Sequence, residues 1–160
     1  MSGRIRKSVK HTFSAVAATT TWNLPPTFDP SGAWNLVVRQ EFTLFTGGGP
    51  TMTTVLQVTR NGVTWDDRAA FTAQSAAISS GRTYQELTLT SGPPLSGTEE
   101  VIVPSGSTGG SALAAGTVRN GPFPERWPSN TISTWRIVAT VANGSPVASG
   151  VWSVEYDSYP

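Results

Sequence analysis

His11 is the single histidine of this 160-residue chain, and cysteine is absent. No Ser-His-Asp or Cys-His relay can be assembled within residues 22–160, and no thiolate or histidine-held zinc site can form there. His11 itself lies in a polar N-terminal stretch and reads as a solvated side chain. Carboxylates remain. Asp66-Asp67 and Glu99-Glu100 are sequence neighbours, and neighbours on a strand point to opposite faces, so neither pair is an acid/base couple by itself. A glycosidase built from carboxylates on separate strands is the one enzyme reading left, and no pattern supports it. Asp66 and Asp67 suit the first turn of a helix, and Glu99-Glu100 the solvated start of a strand. Asp66, Asp67 or Asp157 with backbone oxygens could hold a hard cation between subunits, but no ligand spacing marks such a site. The glycine runs at 47–49 and 105–110 lack the lysine and helix start of a phosphate loop. These residues predict no enzyme, no cofactor and no metal.

Arg4, Arg6, Lys7 and Lys10 point to a partner. They fall within the first eleven residues, which hold no acid. The chain has 11 basic and 10 acidic residues, so setting these four aside leaves seven basic against ten acidic. The formal net charge of +1 is thus a +4 tip on a −3 body. Such an asymmetry suggests an anionic partner, either nucleic acid or an acidic membrane surface. Neutralising four phosphates of a single strand gives a log–log salt slope of about −3, so one copy binds weakly. Many copies lining one surface act together through effective concentration. The basic tip therefore argues for multimerisation before it argues for RNA.

Charged residues make up 13% of the chain, about half the usual fraction. A surface this poor in charge suits self-association, because few charges must be desolvated. Six tryptophans are many for this length. Trp22, Trp65 and Trp127 adjoin predicted loops and are candidate surface or interface aromatics, of the kind that stack sugar rings or anchor a neighbouring subunit. Trp34, Trp135 and Trp152 fall on apolar strand faces and are expected in the core. No apolar run approaches the roughly 20 residues of a membrane span. The stretch Phe13–Ala18 is too short for a secretory signal and runs into three threonines.

The elements that must position these residues are β-strands. Residues 1–21 read as a flexible basic arm, with order beginning at Trp22. Trp34, Leu36, Val38, Phe42 and Leu44 alternate with Asn35, Arg39, Glu41 and Thr43, interrupted by Gln40 on the inner face. Met52–Thr59 is a second strand, and Asn61-Gly62 a hairpin turn from which Val63-Thr64-Trp65 returns. Thr64-Trp65-Asp66-Asp67 resembles a capping box that opens a short Ala-rich helix within 67–79, stopped by Gly81. Thr83–Thr90, Thr98–Val103 and Leu113–Arg119 are further strands, with a flexible loop at 105–111 and a Pro-rich crossover from Asn120 to Pro128. Trp135, Ile137, Ala139 and Val141 face one way, and Trp152, Val154 and Tyr156 match them across a turn at 143–146, as a C-terminal hairpin. The sum is all-β: seven or eight antiparallel strands forming a β-sandwich, jelly roll or barrel, the sandwich being the expected form, with one short helix, a disordered N-terminal arm (1–21) and a single domain (22–160).

This layout resembles the coat proteins of small icosahedral RNA viruses. The segments that carry the resemblance are Arg4 to Lys10, Thr21-Trp22-Asn23-Leu24-Pro25-Pro26, and the closing Gly150-Val151-Trp152-Ser153-Val154-Glu155-Tyr156. The resemblance implies an eight-stranded jelly roll that tiles a closed shell with copies of itself, and a virion location. It also implies that Arg4, Arg6, Lys7 and Lys10 face packaged nucleic acid without reading its sequence. Two alternatives stay open: a phage decoration, head-fibre or tail protein, and a carbohydrate-binding module.

Overall fold

A computed structural model describes residues 5–30, 32–46, 49–59, 61–91, 113–120, 123, 134–144 and 146–158. Among them nine strands follow in order: β1 (Ile5–Val16), β2 (Thr20–Asn23), β3 (Asn35–Phe45), β4 (Thr51–Thr59), β5 (Asp66–Ala70), β6 (Thr83–Thr90), β7 (Thr117–Val118), β8 (Thr134–Ala142) and β9 (Ala148–Ser158). They form two antiparallel sheets, β1-β9-β3-β6 and β2-β8-β4-β5-β7, and the fold is a β-sandwich. The pairing is nested. β1 lies against β9, β2 against β8, β3 against β6, and β4 against β5. Followed this way, the chain is one long hairpin turning at Asn61-Gly62. It is rolled so that β9 also meets β3 and β8 also meets β4.

The roll is driven by alternation. Leu36, Val38 and Phe42 on β3 and Trp152, Val154 and Tyr156 on β9 are buried from one sheet. Met52, Leu56 and Val58 on β4 and Trp135, Ile137 and Ala139 on β8 are buried from the other. Each large side chain so buried contributes about 1.5–3 kcal/mol. A bulge between Phe42 and Leu44 shifts the β3 register, so Phe45 is buried and Leu44 only half-buried. The turn at Asn61 is held by its own side chain. Asn61 Oδ1 accepts from the backbone N–H of Val63 at 2.9 Å and of Thr64 at 2.8 Å, and Gly62 takes φ +73°.

Several expectations are corrected. Residues 5–16, read as a disordered arm, are strand β1, and β2 begins at Thr20 before Trp22. Val9, His11 and Phe13 supply the inward alternation, but their ladder partner is the last strand of the chain. The helix expected within 67–79 is absent. Asp66–Ala70 is strand β5, followed by single bridges of Gln74 to Met52 and Ile78 to Phe45. Asp67 does not cap a helix, because its carboxylate accepts from Gln57 Nε2 at 2.8 Å and Leu113 N at 3.1 Å. Of the strand expected at Leu113–Arg119, Thr117–Val118 alone is strand.

Trp34, expected in the core, is 56% exposed, because β3 begins one residue later and Trp34 lies beyond the sheet. The expected C-terminal hairpin is a corner instead. Asn143 (φ 59°) and Gly144 (φ 132°) carry the chain from β8 in one sheet to β9 in the other. The two apolar faces match because they meet across the core, not because they share a sheet. Thr98–Val103, Glu99-Glu100 and the loop at 105–111 lie outside the described residues.

Candidate nucleic-acid interface

β1 is the outermost strand of its sheet, and alternation splits its cations. Phe13 is buried on the inner side, so Arg6, Ser8, Lys10 and Thr12 project from the outer face of the sheet. Lys7 has the inward parity but lies near the strand end, where its Nζ sits 5.9 Å from the centre of the Tyr156 ring. Arg6 stands opposite Asp157 on β9 and reaches its carboxylate at 3.5 Å while remaining 72% exposed. Among the described residues Lys10 has no carboxylate partner within ion-pair distance. Arg4 lies outside the described residues. Three of the four predicted cations are thus on one ordered strand, on two sides of it, with one already paired.

The outer face beyond β1 is a charge ladder that the sequence reading did not single out. Arg39 on β3 bridges both neighbouring strands, with Nε 2.6 Å from Glu86 on β6 and a terminal nitrogen 2.5 Å from Glu155 on β9. These hydrogen bonds, Glu155 first and then Glu86, raise the Arg39 pKa above its ordinary value. Tyr84 O–H donates to the same Glu86 oxygen at 2.7 Å. That bond, together with Arg39, lowers the Glu86 pKa. Loss of solvent and the bond to Glu86 raise that of Tyr84. Arg82 pairs with Glu41 at 2.6 Å. Arg6, Asn35, Val37, Arg39, Glu155, Tyr156 and Asp157 line a shallow pocket of about 80 Å³ between the β1 row and this ladder. The signal was present in sequence as charged residues at alternate positions of three strands, but nothing local says which strands are adjacent.

His11 is not solvated as expected. It is half-buried between two indoles, 5.2 Å from Trp22 of β2 and 5.9 Å from Trp152 of β9, with ring planes within 20° of parallel. It therefore closes the edge between the two sheets. Trp22, a predicted surface aromatic, is half-buried in that stack. Trp65 is half-buried as well, and the guanidinium of Arg136 lies 3.7 Å from its ring centre. Gln57 fixes this group by accepting from Arg136 Nε at 2.9 Å, and burial lowers the Arg136 pKa. Trp127 lies outside the described residues. Trp22 and Trp65 belong to different clusters and do not form a shared sugar platform.

Among the described residues no three His, Cys, Asp or Glu side chains converge to hold a metal, and no helix is long and apolar enough to cross a membrane. Among the described residues the site is an open, mixed-charge sheet face with a cationic edge. Comparison with known proteins gives no match to any family model, curated sequence or solved structure.

Proposed function

We propose that this chain is a capsid subunit: a jelly-roll coat protein that assembles with copies of itself into a closed shell around nucleic acid, as a component of a virion. The observation that carries the reading is the nested pairing of β1 with β9, β2 with β8, β3 with β6 and β4 with β5. One long hairpin rolled into two layers, with the two-residue β7 at one edge, supports the jelly-roll reading. Fold by itself does not carry function. Two sequence properties supply the rest. The low charge of the body favours lateral packing of identical subunits, and the cationic β1 row supplies phosphate contacts that matter only in many copies.

The ordered β1 alters how nucleic acid is held. Arg6 and Lys10 present their charge from a sheet face, while Lys7 lies near the end of the same strand. Binding is then a surface contact of fixed geometry with no base readout. Arg4 adds to the same cationic end of the chain.

Negative-stain imaging and gel filtration of the purified recombinant chain test the reading. The expected result is closed particles of uniform size with an absorbance ratio at 260 and 280 nm raised by packaged nucleic acid. A monomer at high concentration sinks the shell. Particles with a protein-like ratio remove the nucleic-acid role and leave the shell. Small rings or trimers favour a decoration or tail protein instead.

A further inference from the structure

We propose that β1 is an exchangeable strand: copies of this chain trade residues 5–13, each seating that part of its β1 on the β9 of a partner, with residues 14–19 as the hinge. The inference goes beyond the shell reading and holds equally for a dimer. It rests on the corner that joins β1 to β2. Between Phe13 and Val16 the β1–β9 register slips, and β1 carries one extra residue. At this bulge Ala15 takes φ 51°, the left-handed region in which a Cβ crowds the following carbonyl and glycine is the usual occupant. Three residues, 17–19, then carry the chain from one sheet to the other. A short hinge under strain favours strand exchange, because opening residues 14–19 relieves the strain at Ala15 and gives up only the Val16–Ala148 pairing, while Ile5–Phe13 keeps its ladder.

The docking site supports the same conclusion. Among the described strands β1 has a single ladder partner, β9. Its inward side chains fit an aromatic slot. Phe13 stacks on Trp152 at 4.4 Å and meets Phe42 edge-on at 5.9 Å, and His11 enters between Trp152 and Trp22. An identical Ile5–Phe13 segment from a second copy reproduces every one of these contacts, so the closed and exchanged forms differ only over residues 14–19, where Ala15 lies. The partner of this slot is therefore a second copy of this chain.

Cysteine cross-linking tests it cleanly, since the chain has no cysteine of its own. Thr12 and Val151 face each other across the β1–β9 ladder. A chain carrying both Thr12→Cys and Val151→Cys checks that register by forming the disulfide. A tagged Thr12→Cys chain co-expressed with an untagged Val151→Cys chain reads exchange, as a mixed disulfide on a non-reducing gel. The expected result is a mixed disulfide whose equilibrium yield falls roughly 5- to 30-fold when both chains also carry Ala15→Gly, which removes the strain from the closed corner. Internal closure of the double variant without any mixed disulfide overturns the proposal. A mixed disulfide indifferent to Ala15→Gly overturns it too, because it reports neighbouring subunits rather than a traded strand. Failure of the double variant to cross-link overturns it by removing the β1–β9 pairing itself.

Discussion

Gln40 and Trp152 face each other across the β3–β9 ladder, and the Trp152 indole N–H donates to Gln40 Oε1 at 2.9 Å with both residues fully buried. A glutamine on an apolar strand face is otherwise a defect. Here it satisfies the one polar atom that Trp152 brings into the core. Gln40→Leu keeps the volume and strands that N–H but also removes the buried Gln40 Nε2, which has no partner among the described residues, so it is expected to lower stability by about 1 kcal/mol in urea unfolding. Trp152→Phe alone also costs stability. Adding Trp152→Phe to Gln40→Leu is expected to cost less than the sum of the two, since the stranded Trp152 N–H is then removed with its partner. Strict additivity would show that the bond contributes nothing.

Gly150 is the point at which β1 and β3 both press on β9. A Cβ there would lie 1.9 Å from the Glu41 carbonyl oxygen and 2.8 Å from the Phe13 ring. The first clash is with backbone and cannot be relieved by a rotamer change. Gly150→Ala is expected to cost about 3 kcal/mol or more and to lower the thermal midpoint accordingly. Amide hydrogen exchange should show β1 losing protection before β4 and β8 do. Equal loss in both sheets would mean that Phe13 is not the weak point.

The strands with a clear period of two were legible in the sequence, and their neighbours were not. The alternation over Thr83–Thr90 matches the strand's bounds, Trp135 and Trp152 are buried as their apolar faces predict, and Ile137 and Val154 are buried on those same faces. β1 was missed because Val9, His11 and Phe13 are only three inward residues among cations and hydroxyls, and their ladder partner begins at Ala148. The 67–79 segment was misread because alanine favours a helix locally, while Asp67, Ala69 and Phe71 are buried by tertiary contacts that no local pattern records. The cationic tip was legible as charge but not as geometry. Its division between two sides of a strand depends on the strand being there.

Acid sensitivity should trace to Glu86. Its folded pKa is lowered from 4.5 by the Tyr84 hydroxyl and by Arg39. A lowered carboxylate stabilises the fold fully above its ordinary value and loses that contribution as pH falls through the folded one. Stability is therefore expected to decline as pH falls below 4.5, and Glu86→Gln should flatten that part of the curve. Glu86 is well exposed, so solvent screening keeps the effect small. Carbon-detected NMR titration checks the origin: Tyr84→Phe should raise the Glu86 pKa toward its ordinary value. No movement would assign the shift elsewhere.

Nucleic-acid binding should respond to both charges of the Arg6–Asp157 pair, and in opposite directions. Asp157 stands opposite Arg6 at 3.5 Å and competes with any phosphate for it, whereas Lys10 has no carboxylate partner among the described residues. Asp157→Asn removes a repelling charge and frees Arg6, so binding of a single-stranded oligonucleotide is expected to tighten. Lys10→Ala should weaken it and reduce the log–log salt slope by about 0.7, one phosphate contact. Replacing Arg6, Lys7 and Lys10 together should reduce the slope by about 2. Fluorescence anisotropy between about 50 and 200 mM salt reads these slopes. If Asp157→Asn leaves affinity unchanged while Lys10→Ala lowers it, Arg6 stays bound to the sheet and the phosphate contact belongs to the lysines. If neither variant moves the slope, the β1 row is not the nucleic-acid surface.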